Sequence, residues 1–141
     1  MAKRVRKIEP ARKLAIQAAK LAQDGNCEQI VVLDLRGVSP VTDYFVIATG
    51  SSDRQMRSVA DDVVEHGKDV GQNVWRQAGL EAADWIVLDF VDVVVHLFDG
   101  EHRRYYDLEM LWGDVPHVRW RRRKTSRTSE EVKGTRSDPK E

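Results

Sequence analysis

The sequence holds one cysteine, Cys27, in 141 residues. A lone cysteine excludes an intramolecular disulfide framework and a multi-cysteine zinc site, and it fits a reduced, cytoplasmic setting. No apolar run approaches the ~20 residues that a membrane-spanning helix needs. The longest stretch, Trp85–Phe98, is broken by Asp89 and Asp92, so no membrane partner is expected. The basic start, MAKRVRKIEP, lacks a following apolar segment and does not read as a secretory signal. Neither GxGxxG nor GxxxxGK[ST] occurs, so a purine nucleotide finds no recognisable cradle. HxxxH is missing and His66, His102 and His117 stand apart, so neither a metal nor another cofactor is expected.

What is present describes one domain of ordinary size. The chain is 41% apolar and 33% charged, which is too apolar for full disorder. The net charge is zero but segregated. Residues 1–13 carry six Lys/Arg against one acid, residues 14–118 eight against eighteen, and residues 119–141 nine against four. An acidic body is poorly suited to bind nucleic acid through its main face, while the two basic ends can touch phosphate. The expected division is a flexible basic arm over 1–10, a domain over 11–118 and a disordered basic tail over 119–141.

Along the chain, Ala11, Leu14, Ala15, Ala18, Leu21 and Ala22 recur at helical spacing. Asp24-Gly25-Asn26 ends this helix, with Gly25 suited to a left-handed position. Ile30–Leu35 and Tyr44–Ala48 read as strands buried on both faces. Ser52-Asp53-Arg54-Gln55 has the capping-box form and starts a second helix with Met56, Ala60, Val63 and Val64 on its inner face, ended by Gly67 or Gly71. A polar connection follows, with room for an edge strand at Val74-Trp75-Arg76. Trp85–Phe90 and Asp92–Phe98 read as adjacent antiparallel strands around a turn at Phe90-Val91. Glu101–Trp112 reads as a third helix, with Tyr105, Leu108 and one of Met110, Leu111 or Trp112 inward and Gly113 capping its end. Helix, strand, strand, helix, strand, strand, helix is an α/β order. It predicts a mixed β-sheet covered by helices in a single domain.

Few residues suggest chemistry. Thr49-Gly50-Ser51-Ser52 reads first as a strand-to-helix turn with a good cap, and only second as an anion site. Asp61 and Asp62 are neighbours on a helix and point about 100° apart, so they do not share a metal. Asp89 and Asp92 flank a turn without a third acid at fixed spacing. His96 sits among valines and reads as a buried neutral histidine with one hydrogen-bond partner. No catalytic residue is expected, and the chain is not expected to be an enzyme. Trp85 and Phe90 bracket a strand and read first as core residues; Trp85, which follows a polar stretch and opens an apolar one, also suits an interface anchor at a strand end. Arg119, Arg121, Arg122, Arg123 and Lys124 surround Trp120; the cluster reads first as a solubilising tail, and second as a source of charge and a stacking ring for RNA.

ADWIVLDFVDVVVHLFDGEHRRYYDLEMLWGD (Ala83–Asp114) resembles the signature block of the Iojap family, the ribosomal silencing factors. TDYFVIATGSSDRQ (Thr42–Gln55) and IVVLDLRGVS (Ile30–Ser39) are similar to two further blocks, in the same order. The resemblance spans roughly Leu14 to Asp114. It implies a nucleotidyltransferase-like fold without catalytic carboxylates. It also implies binding to the large ribosomal subunit at ribosomal protein number fourteen, blocked joining of the small subunit, repressed translation, and a homodimer when free. By this likeness Trp85 and Phe90 fall at the partner contact, with Asp84, Asp89, Tyr105 and Tyr106 assigned to the same surface. The basic tail is expected to add at most a weak contact with rRNA. Where relatives commonly have glycine after the aromatic residue of the turn, this chain has Val91. If that position requires positive φ, a β-branched residue there is strained by roughly 1–2 kcal/mol.

Overall fold

A computed structural model describes residues 9–106 and 112–121. Helix α1 (Pro10–Asp24) opens with proline at its first turn, where a missing N–H costs nothing. It buries Leu14 and five alanines, small side chains that let it lie close to the sheet. The fold therefore begins before the expected Ala11. Glu9 belongs to it as well, accepting from the Tyr44 hydroxyl at 2.8 Å and from Arg36 at 2.9 Å. The left-handed residue after α1 is Asn26 (φ 68°), not Gly25 (φ −87°). Glycine is required at 25 for another reason: a Cβ there would stand 2.5 Å from Val59 Cγ2 on the next helix.

Strands β1 (Glu28–Asp34) and β2 (Tyr44–Gly50) pair antiparallel. Ser52 caps α2 (Asp53–Asp69) by accepting from the Gln55 N–H at 3.1 Å, and Gln55 Nε2 donates to the Gly25 carbonyl at 2.8 Å. Gln55 thus also ties the start of α2 to the end of α1. Strands β3 (Arg76–Ala78), β4 (Trp85–Asp89) and β5 (Val93–Asp99) follow, then α3 (Gly100–Tyr106). The sheet order is β1-β2-β5-β4-β3, with β2 and β5 parallel and the other pairs antiparallel. This is the expected α/β mixed sheet in one domain. The edge strand starts one residue after Trp75 instead of including it.

Alternation along the strands sorts the core into two layers. Val32, Val46, Ile86, Leu88, Val95 and Leu97 meet α1 and α2 on one face. Leu33, Leu35, Ile47 and Phe98 form a smaller cluster on the other face, closed by Val115 with Trp112 against it.

Two boundaries differ from expectation. α3 is described only to Tyr106; Leu108, Met110 and Leu111 lie outside the described residues, and Trp112 stands in a turn. The chain then runs back along the free edge of β1. The Asp34 N–H donates to the Pro116 carbonyl at 2.9 Å and the Val118 N–H to the Val32 carbonyl at 2.8 Å. This places Val118 and Trp120 in the helix-side core at 6% and 8% exposure. Trp120 is therefore part of the domain and not a stacking ring on a free tail, and the fold extends past the expected limit at residue 118. The edge pairing explains it: residues 116–118 cover backbone groups of β1 that would otherwise lie open.

An aromatic face on the open side of the sheet

The face away from α1 and α2 is only partly covered. β4 presents Trp85, Val87 and Asp89 there, all half-buried, while β5 presents Val94, His96 and Phe98. The register sets Trp85 opposite Phe98 and Val87 opposite His96. Trp85 stacks on Phe98 at 5.1 Å with 24° between the planes. Its indole N–H donates to His96 Nδ1 at 3.1 Å. Phe45 on β2 meets His96 edge-on at 4.5 Å, and Trp112 meets Phe45 edge-on at 6.1 Å. The rings form a row across the sheet that fixes the orientation of Trp85 from below and from the side.

His96 is the buried neutral histidine expected of it. Burial pushes its pKa down to about 4, and it is 6% exposed. Because Nδ1 accepts from Trp85, the ring's proton sits on Nε2, which has no partner among the described residues. A histidine that is neutral when folded and titrates at its ordinary value when unfolded makes the unfolded chain the better proton binder between pH 6.5 and 4. Stability is then full above pH 6.5 and falls as acid is added, by roughly 3 kcal/mol across the window. Urea melts between pH 4.5 and 7 measure this. His96→Phe is expected to flatten the profile, and an unchanged slope in that variant would assign the acid sensitivity elsewhere.

The other expected site residues divide. Asp84 lies beside Trp85, its carboxylate 3.7 Å from His102 Nε2, while His102 Nδ1 sits 2.8 Å from Asp99 Oδ1. The hydrogen bond to Asp99 raises the His102 pKa above its ordinary value. Asp89 ends β4. Its Oδ1 accepts from the Val91 N–H at 2.8 Å and its carbonyl from the Trp75 N–H at 2.8 Å. Tyr105 and Tyr106 lie in the last turn of α3. Phe90 goes elsewhere. It is five residues from Trp85 on a pleated segment and therefore points to the opposite face. It is 8% exposed and belongs to the helix-side core. A Cβ on Gly67 of α2 would stand 2.9 Å from its ring. Phe90 thus anchors the turn from inside and presents no surface beside Trp85.

That turn has Val91-Asp92 as its central residues, one position later than expected, closed by the Phe90 N–H donating to the Val93 carbonyl at 2.8 Å. Val91 takes φ 76°, the conformation that a glycine adopts freely. The same end of the face holds a groove of about 560 Å³, lined by Val41, Phe45, Trp75, Val91, Val94 and His96 among others. Sequence reasoning missed this groove. Its one available signal was Trp75, a large apolar residue in a polar stretch. Among the described residues no group of three His, Cys, Asp or Glu side chains converges as a metal site. Asp61 and Asp62 are both exposed on α2.

The sequence matches the family described as "Ribosomal silencing factor during starvation" over residues 8–141. The chain belongs to the ribosomal silencing factors. The silencing factor of Bacillus subtilis is 41% identical over 99 residues, covering 70% of this chain and 84% of that protein. The chloroplast protein Iojap of maize is 30% identical over 107 residues, covering 74% of this chain but 45% of the longer plant protein. A crystal structure of a protein from Chromobacterium violaceum superposes with a TM-score of 0.68 at 34% identity, covering 76% of this chain and 87% of that one. The open aromatic face of this chain is therefore read as part of a ribosomal silencing factor.

Proposed function

We propose that this silencing factor represses translation by sitting on the large ribosomal subunit and physically blocking the approach of the small one. Ribosomal protein number fourteen is the contact, and no bond is made or broken. The observation that carries the reading is Trp85: a half-buried indole, locked by Phe98 and His96, on the one sheet face that α1 and α2 leave open. A preorganised aromatic loses little entropy on binding, and its burial contributes roughly 1.5–3 kcal/mol. Asp84, just before β4, and Asp89, at its end, suit a basic protein, and Tyr105 and Tyr106 of α3 are assigned to the same contact. Phe90 serves this surface indirectly, by holding the turn that follows Asp89.

The factor works in the cytoplasm, without a cofactor, and associates as a homodimer when free. The basic tail adds a weak, salt-dependent grip on rRNA through charge alone, since Trp120 is engaged in the core. Light scattering of purified subunits is the test. Adding the protein to large subunits before small ones is expected to suppress the rise in scattering in a dose-dependent way. Full joining at saturating protein would rule the reading out. A tail deletion used alongside has to begin after Arg121, because removal of Trp120 would open the core.

A further inference from the structure

We propose that the groove at the Asp89 end of the open face is a second contact, distinct from Trp85, and that it takes an apolar side chain of the same basic protein. This rests on the reading above.

Three observations converge on the groove. The first is exposure. The exposed large hydrophobic residues of the described chain are Val38, Val41, Val70, Trp75 and Val91, and three of these five line this one groove. Val41 is 77% exposed, Trp75 65% and Val91 51%. Scattered apolar residues need no explanation, but a cluster around a concavity does. The second is strain. Val91 holds φ 76° in a turn where glycine would sit freely, so the chain bears a backbone cost to present an apolar side chain at this rim. The third is an orphaned polar atom. His96 lines the groove, its Nδ1 is taken by Trp85, and its Nε2 points away from the indole without a partner. A buried donor left unpaired in an otherwise apolar wall calls for an acceptor that the described residues do not supply.

The occupant follows from charge and distance. The body of the chain, residues 14–118, has eighteen acids against eight Lys/Arg, and Asp89 stands on the groove, so a basic partner is favoured. Trp85 and Asp89 are the two ends of β4, about 13 Å apart at ~3.3 Å per residue. A single partner covers that span within an interface of ordinary size. The His96 ring, bonded to Trp85 and lining the groove, makes the two contacts continuous.

The experiment is co-sedimentation of the full chain with purified large subunits over a range of concentrations, comparing Trp75→Ala, Val91→Gly and Trp85→Glu. Trp75 is mostly exposed and Val91→Gly relieves strain, so both groove variants keep the fold. Each is expected to weaken binding roughly tenfold. Val91→Gly is at the same time expected to melt at a higher temperature, a combination that a side chain kept for folding alone would not produce. If both groove variants bind like the unaltered chain while Trp85→Glu does not, the groove is not a contact and only the Trp85 reading stands. If the unaltered chain fails to sediment with large subunits, both fall. Variants that dissociate a dimer in sedimentation velocity but keep subunit binding would assign the groove to a second copy and overturn the proposal. So would a gain in Trp75 quenching, on deletion of residues 122–141, that leaves subunit binding unaltered; the occupant would then be the chain's own tail.

Discussion

Trp85→Glu is expected to lower affinity for the large subunit by roughly 100-fold, read as loss of co-sedimentation at concentrations where the unaltered chain is bound. Two effects act together. The stacked indole surface disappears, and a carboxylate is introduced where the partner's surface closes over it. The fold survives because the side chain is half-buried and a glutamate there reaches solvent. It survives with a penalty, since His96 Nδ1 loses its donor inside the protein, at a cost of about 1–3 kcal/mol. Trp85→Phe separates the parts. It keeps a ring on Phe98 but leaves His96 equally unpaired, so it is expected to share the stability loss and retain most of the binding. Circular dichroism and the sedimentation assay read the two properties independently. If Trp85→Phe lost as much affinity as Trp85→Glu, the indole N–H and its hold on His96 would matter more than the ring surface.

The sequence made some of this face legible and concealed the rest, for physical reasons. Periodicity is local, so the stripe from Ala11 to Ala22 and the valine-rich strands were readable where they stand. The capping residues at Ser52 and Gln55 were equally local. Strand pairing is not local: nothing near Tyr44 indicates that β2 runs parallel to β5, which places Phe45 against His96. The groove is invisible for the same reason, since Val41, Trp75 and Val91 come from three separate turns or connections. Trp120 shows another limit. Its arginine neighbours give a strongly polar average, yet Val118 and Trp120 alternate at strand spacing and both turn inward beside β1. The placement of Phe90 was available by counting. Five residues separate it from Trp85, an odd step along a pleated chain, and an odd step changes face. Family likeness had put both at one contact, whereas the pleat separates them. Val91 was legible only as a condition, and its φ of 76° meets that condition.

Gly79→Ala is expected to be the most destabilising single-methyl change near the site. Gly79 follows β3 and takes φ 80°, so any Cβ there carries roughly 1–2 kcal/mol of left-handed strain. The added Cβ would also collide with the carbonyl oxygen of Trp85. Both parties are backbone, so no rotamer change relieves the clash. The connection cannot simply swing away either. Arg57 of α2 donates to the Leu80 carbonyl at 2.8 Å and to the Glu81 carbonyl at 2.6 Å, and the Ala83 N–H donates to the Gly79 carbonyl at 2.9 Å. Movement has to come from β4, and β4 carries Trp85. The combined cost is roughly 3 kcal/mol or more, measured by urea denaturation. Gly71→Ala is the control, because Gly71 has φ 78° but open space around its Cβ position and so incurs the strain alone. The difference between the two variants isolates the clash. Equal losses would mean that the Gly79 connection yields freely and that Trp85 is not braced from that side. A larger loss at Gly79, with subunit binding reduced in the fraction that remains folded, would show that the glycine holds the indole in place as well as making the turn.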